Sequence, residues 1–435
     1  MLRIRAFFRW FIPGVGIIHW LSLVGIGFIF DSIGLAFALI KSGLIETTNV
    51  DLLLNNWPKI VVTIIIGLIM MGIGVFKITH HVFAPYRRHQ AGRIVDVVRA
   101  HTKRQKGIKV VAIGGGTGLP SVLRGFKPYT SNITAVVTVA DDGGSSGRLR
   151  KDFGVLPPGD LRNNIVALAD DESMMTHLFQ YRFNNGDLEG HAFGNLFITA
   201  MTGVTGSLEA ALAETERVLN IQGRVLPSTL DNVNLVASVK INQKNHIETV
   251  HGESQITNKK GKIEKIWLDP DNVQPYEQSV SAIIEADVVV IGPGSLYTSI
   301  LPNLLVDGIR EALSKTAACK IYVCNVATQP GETDNYNVAD HVYALEEHIG
   351  RGIFQAVIAN NAYPTRNAGI NTNYVKAVAH NHEIAQRYHL HYADLTDENR
   401  PWRHDPQKLS TAILAVSDRY AQQTLNTLTD MFTGV

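Results

Sequence analysis

Two stretches near the amino terminus limit what this chain can fold into more than any other feature. Trp10 to Phe30 contains no Asp, Glu, Lys or Arg, and the apolar character resumes after Asp31 as far as Ile40. Ile60 to Phe76 is a second uncharged run, bounded by Lys59 and Lys77. A bilayer core of about 30 Å needs roughly 20 apolar helical residues, so each stretch can cross once. The first is longer than one straight crossing, and Pro13 and Asp31 place part of it at an interface. A cleavable signal peptide fits poorly, because a second run follows and no small-residue cleavage pattern stands out. Residues 1–80 are therefore read as a transmembrane hairpin. Arg3, Arg5 and Arg9 precede it, and Lys77, Arg87, Arg88, Arg93, Arg99, Lys103, Arg104 and Lys106 follow, while the charges between the runs (Lys41, Glu46, Asp51, Lys59) cancel. The positive-inside rule then makes both ends cytoplasmic. This predicts a protein of the inner (cytoplasmic) membrane whose soluble part faces the cytoplasm, joined by a basic linker over residues 81–106.

The rest of the chain has the composition of an ordinary soluble domain. Its 40 basic and 39 acidic side chains nearly cancel over the whole sequence, so nothing supports an electrostatic grip on nucleic acid, and none is expected as a partner. The two cysteines, Cys319 and Cys324, make neither a disulfide framework nor a zinc site.

From Gly107 the chain reads GIKVVAIGGGTGLPSVLRGF. Val110 to Ile113 suits a parallel strand buried on both faces. Gly115, Gly116, Thr117 and Gly118 follow, before a helical stretch from about Pro120 to Gly125. Strand, glycine turn and helix together bring backbone N–H groups and a positive helix end onto a phosphate. The dinucleotide fingerprint is absent, since its third glycine position is Leu119, and no Gly-Lys-Ser/Thr follows to make a P-loop. A tight turn without ligand is the plain alternative. A second strand, Ile133 to Val139, ends in ADDGGSSGRLRKDFG. Asp141 and Asp142 thus sit at a strand's carboxyl end, where open α/β sheets bind ligands. They could hold Mg²⁺, hydrogen-bond ribose, or simply form a turn. Gly144, Ser145 and Ser146 suit a turn or a second phosphate loop.

More polar clusters follow. LPPGDLRNN puts Asp160 at a helix N-cap, with Arg162 and Asn163 in the first turn, where a cation is unfavourable unless an anion lies nearby. HAFGNL presents His191, Gly194 and Asn195 before an apolar helix, and STLDNVNL carries Asp231 and Asn232 at the mouth of a strand. The strand ADVVVI leads into GPGSLYTSILP, a second glycine loop with Gly292, Gly294 and Ser295. IYVCNVATQPGETD then contributes Asn325, Thr328 and Gln329. Alternating runs over residues 236–270 read as a small antiparallel β insert. His380, His382, His389 and His391 lack a carboxylate or cysteine partner arranged around them and are read as solvent-facing. Arg403, His404 and Asp405 are caps or contacts ahead of an amphipathic helix, Pro406 to Tyr420.

Taken in order, GGGTGLPSVLRG, ADDGGSSGRLR, LPPGDLRNN, GHAFGNL, STLDNV, GPGSLYTSILPN and NVATQPGETD resemble the YvcK/CofD-like family, within it the YvcK branch of gluconeogenesis factors. The resemblance runs from about Gly107 to the carboxyl terminus, and the hairpin is an addition to the shorter common form. It implies an α/β, Rossmann-like, mostly parallel sheet in a domain spanning 107–435. It also implies binding of UDP-sugars such as UDP-N-acetylglucosamine, with links to carbon metabolism, cell-wall precursor supply and cell morphogenesis and no established reaction. The CofD branch resembles this chain in its phosphate loops but is a Mg²⁺-dependent 2-phospho-L-lactate transferase, acting from a guanosine diphosphate-linked donor to a deazaflavin. By motif, Gly115 to Gly118 and Gly292 to Ser295 would face phosphates, and Asp141 and Asp142 would match carboxylates near the CofD metal. No deazaflavin-binding segment and no nucleophile–base pair is evident here. The expectation is a regulatory nucleotide-sugar binder read by an unidentified protein partner, with self-association by analogy. The alternative is a phosphotransferase.

Overall fold

The computed structural model describes residues 18–42, 44, 57–83, 102–169, 174–241, 246–259, 261–365 and 372–433. The arginines at 3, 5, 9, 87, 88, 93 and 99, Pro13, Glu46 and Asp51 lie outside them. The chain divides into two compact units, Met1–Val98 and Arg99–Val435.

In the first unit, α1 (Ile18–Lys41) and α2 (Trp57–Phe83) pack against each other. Segments His19–Lys41 and Trp57–Thr79 are each long and apolar enough to cross a membrane. The glycines explain the close packing. A Cβ on Gly27 would lie 2.7 Å from the Gly67 carbonyl oxygen, so only small residues let the backbones meet there. Lys77 lies over the Trp20 ring and Lys41 over the Trp57 ring, at opposite ends of the pair, as expected for interfacial anchors. Asp31, expected to mark an interface, instead lies within the continuous α1. Its carboxylate oxygens are enclosed with no hydrogen-bond partner among the described residues.

The second unit is built on seven parallel strands: β1 (Val110–Gly114), β2 (Ile133–Val137), β3 (Arg224–Pro227), β7 (Val288–Ile291), β8 (Cys319–Val323), β9 (Ala356–Asn360) and β10 (His389–Ala393). Their order is β10-β9-β8-β7-β1-β2-β3. The central strands are uninterrupted apolar runs because helices cover both faces. Between β3 and β7 lies a three-stranded antiparallel sheet, β5-β4-β6, made of β4 (Asn234–Ile241), β5 (His246–His251) and β6 (Lys262–Asp269). This is the expected Rossmann-like sheet with its insert.

Strand order decides where a ligand can sit. The chain leaves β1 toward β2 on one side and leaves β7 toward β8 on the other, so adjacent β1 and β7 form the topological switch point. Their loops diverge and leave a crevice at the carboxyl ends. The domain also begins earlier than the glycine motif suggests. Ser131 N–H donates to the Arg104 carbonyl at 3.0 Å and Asn132 Nδ2 to the Gln105 carbonyl at 3.0 Å, which folds residues 102–106 onto the start of β2.

Candidate functional site

The first glycine turn runs from β1 into α3 (Leu119–Phe126). Gly116 has φ +62°, a left-handed conformation that favours glycine. Gly118 is required by proximity, since a Cβ there would lie 2.6 Å from the Pro293 carbonyl oxygen of the second turn. The two turns are locked together. Asn303, fully buried, donates through Nδ2 to the Gly114 carbonyl at 3.0 Å and to the Ser299 carbonyl at 2.7 Å. Asn325 clasps Gly294 on both sides, accepting from its N–H at 3.1 Å and donating to its carbonyl at 2.8 Å. Gln329 Nε2 donates to Ser295 Oγ at 2.5 Å. A buried hydrogen bond left half-made costs about 1–3 kcal/mol, which makes these struts rigid.

Between the turns lies a cleft of about 220 Å³ lined by Thr117, Gly118, Gly294, Ser295, Asn325 and Thr328, together with Trp402, Arg403 and His404. Trp402 is 40% exposed, an aromatic face open to a planar group. Burial, then the nearby Arg400 and Arg124, holds the Arg403 guanidinium below its ordinary pKa. Burial pushes His404 down to about 4, and its Nε2–H donates to the Cys324 carbonyl at 3.2 Å. Arg403 and His404, ambiguous in the sequence, thus line the cleft. A larger opening of about 370 Å³ lies at the amino ends of β1 and β2, beside the Lys109–Glu285 ion pair. Neither the turn after β1 nor the turn after β7 lines it, so the smaller cleft is the better candidate for a phosphorylated ligand.

Carboxylates gather behind the first turn. Asp160 is not an N-cap: Pro158 holds that position in α5 (Gly159–Leu168), and Asp160 Oδ2 accepts the Gly116 N–H at 2.8 Å. Burial, with Asp141 nearby, pushes its carboxyl up to about 7. Asp141 is likewise raised, chiefly by burial, while accepting from Gly143 N–H at 2.8 Å. Asp142 is turned toward the insert, where it accepts the Ser254 N–H of helix α7 (Glu253–Asn258) at 2.8 Å. Glu253 on that helix is pushed up to about 9 by burial and by Asp141, Asp160, Glu332 and Asp142. Glu332, raised to about 7 by burial, accepts from Thr298 Oγ1, and its other oxygen is buried without a hydrogen-bond partner among the described residues. The sequence could not signal Glu253 or Glu332, which look like surface residues of an insert and a turn.

The remaining expected residues separate into groups. Ser145, in the first turn of α4 (Gly144–Phe153), lies 3.0 Å from His191 Nδ1 and accepts from Asn195 Nδ2 at 3.1 Å. Asn195 sits in the first turn of α6 (Phe193–Thr205). Ser145 and His191 form a buried serine–histidine pair that the spacing concealed. Burial and Arg148 hold His191 below its ordinary pKa, which favours the neutral ring. Ser146 hydrogen-bonds Asp141. Arg162 donates to Asn163 Oδ1 at 2.6 Å, and the anions expected near it are Asp160 and Asp141. Asp231 accepts the Gln274 N–H and Asn232 accepts from Arg150, so both brace the base of the insert. Among the described residues no group of three or more His, Cys, Asp or Glu is placed to hold a metal ion.

Fold and cleft together define a class: a doubly wound α/β protein with glycine turns facing a switch-point crevice. The sequence profile of the family described as 2-phospho-L-lactate transferase CofD matches residues 110–418. A Nostoc sp. protein, provisionally named a gluconeogenesis factor, is 42% identical over 433 residues, covering 95% of this chain and 93% of its own. That share must take in most of the amino-terminal unit. The gluconeogenesis factor of Listeria innocua is 42% identical over 312 residues, covering 71% of this chain and 95% of its own. A Bacillus halodurans protein of known crystal structure superposes with a TM-score of 0.67 at 42% identity, over 71% of this chain and 99% of that one. The chain belongs to the YvcK/CofD-like family of gluconeogenesis factors.

Proposed function

We propose that this protein is a membrane-tethered receptor for a nucleotide sugar of the UDP-N-acetylglucosamine class. Its occupancy is read by a protein partner and links carbon metabolism to cell-wall precursor supply and cell shape. The observation that carries this reading is the convergence of two glycine turns, from adjacent β1 and β7, on one cleft. Thr117 and Gly118 N–H groups have no protein acceptor among the described residues, and such amides suit a diphosphate. Trp402 and Arg403, which also line the cleft, supply a stacking face and a cation. The hairpin would hold this domain on the cytoplasmic side of the inner membrane, in keeping with the basic residues flanking it.

A second reading, a phosphotransferase, is favoured by the transferase family whose profile matches. Asp141 would then hold Mg²⁺ together with the ligand's phosphate oxygens; Asp142 fits less well, because α7 already engages it. Isothermal calorimetry on residues 99–435 with UDP-N-acetylglucosamine separates the readings. The receptor predicts saturable heat and a raised melting temperature without turnover. No heat and no thermal shift at millimolar ligand would end it, and Mg²⁺-dependent product formation would transfer the case to the enzyme.

A further inference from the structure

The geometry points to an internal competitor in the phosphate cradle: the Asp160 carboxylate occupies a backbone amide that a ligand phosphate needs, and binding displaces it. The inference rests on reading the glycine turns as a phosphate site. A carboxylate oxygen accepting a main-chain N–H at a glycine turn after a buried strand makes the same contact as a phosphate oxygen. Asp160 Oδ2 does this with Gly116 at 2.8 Å. It also presses on the turn, since a Cβ on Gly115 would lie 2.5 Å from that oxygen. The side chain comes from the first turn of α5, forty-four residues away, so the contact is made by the fold and not by the turn itself.

The surroundings leave Asp160 weakly held. Asp141 from the loop after β2 and Glu253 from the insert are its acidic neighbours, and Arg162 is the cation on its own helix. The Asp141 carboxylate repels it and the Arg162 guanidinium retains it. An arriving diphosphate finds Thr117 and Gly118 amides unclaimed and Gly116 taken. Full engagement of the turn requires the Asp160 side chain to rotate away, so the resting protein binds more weakly than its backbone alone would allow.

Calorimetry of the full chain in detergent micelles, with UDP-N-acetylglucosamine and with inorganic pyrophosphate as probes, tests this. Asp160→Ala, which leaves the Gly116 amide free, should bind both probes about ten-fold more tightly than the parent protein, the scale of one charge-assisted hydrogen bond, and more tightly than Asp160→Asn, whose side-chain oxygen still accepts that amide. Unchanged or weaker binding by Asp160→Ala overturns the competitor and makes Asp160 a brace or a ligand contact, and an equal gain in Asp160→Asn overturns it as well, since that would be an effect of charge alone. A parent-like melting temperature in Asp160→Ala shows that weakening there is not a folding failure. Gly118→Val reports on the underlying site: its Cβ would meet the Pro293 carbonyl, and it should bind neither probe. Parent-like binding by Gly118→Val sinks the phosphate-site reading, whatever Asp160 does. Silence from every protein in the set removes both.

Discussion

Asp160, Glu332 and Glu253 are carboxyls that folding makes harder to ionise, with values near 7, 7 and 9. Unfolded, they lose their protons near the ordinary carboxylate range. Above that range the unfolded chain therefore holds fewer protons than the native one, and rising pH favours unfolding. Their contribution is complete at acid pH and is lost as pH climbs through the folded values. His341 and His404 work the other way, each pushed down to about 4 by burial. Both are neutral in either state well above pH 6.5, so the carboxyls act there, joined toward pH 9 in the same direction by Cys319 and Cys324, whose thiols burial pushes up to about 11 and about 12. The melting temperature of residues 99–435 should accordingly fall from pH 7 to pH 9, and Glu253→Gln should flatten that fall. A level profile in the parent protein would show that these carboxyls are solvated. The same residues show how a local sequence signal misleads. Asp160 follows Pro-Pro-Gly and looks like a cap, yet its partner is an amide 44 positions away.

At the scale of elements, the insert is fastened to the sheet through the first turn of α7. Asp142 accepts the Ser254 amide, and a Cβ on Gly252 would fall 2.1 Å from its other oxygen. The insert is held on a second side by β6, where the Ile266 N–H donates to His348 Nε2 of helix α8 (Val338–Ile349). Asp142→Ala removes the cap, at a cost of about 1 kcal/mol, whereas asparagine replaces it nearly without loss. Hydrogen exchange at residues 254–257 should accelerate in Asp142→Ala and stay at the parent rate in Asp142→Asn. Equal acceleration in both would mean that the carboxylate charge, not the cap, is what matters. Because Asp142 is used in this way, the Asp141–Asp142 pair is not a symmetrical ligand set despite its appearance in the sequence.

For the whole molecule, the two units lead to a simple expectation. Full-length protein should sediment with membranes and resist carbonate extraction, and residues 99–435 should remain in the supernatant. Protease added to intact spheroplasts should leave the α/β unit uncut; digestion there would place it outside and reverse the orientation. The hairpin, the buried strands β1, β2 and β7 and both glycine turns were legible in the primary structure, because each depends on a property of neighbouring residues: hydropathy over a span, or freedom from a Cβ just after a strand. Strand order, the Asn303 strut, the Ser145–His191 contact, the diversion of Asp231 and Asn232 to bracing, and the seizure of Gly116 by Asp160 were decided only in three dimensions. Each depends on which distant segments the packed sheet brings within 3 Å or so of one another, and no window of adjacent residues carries that information.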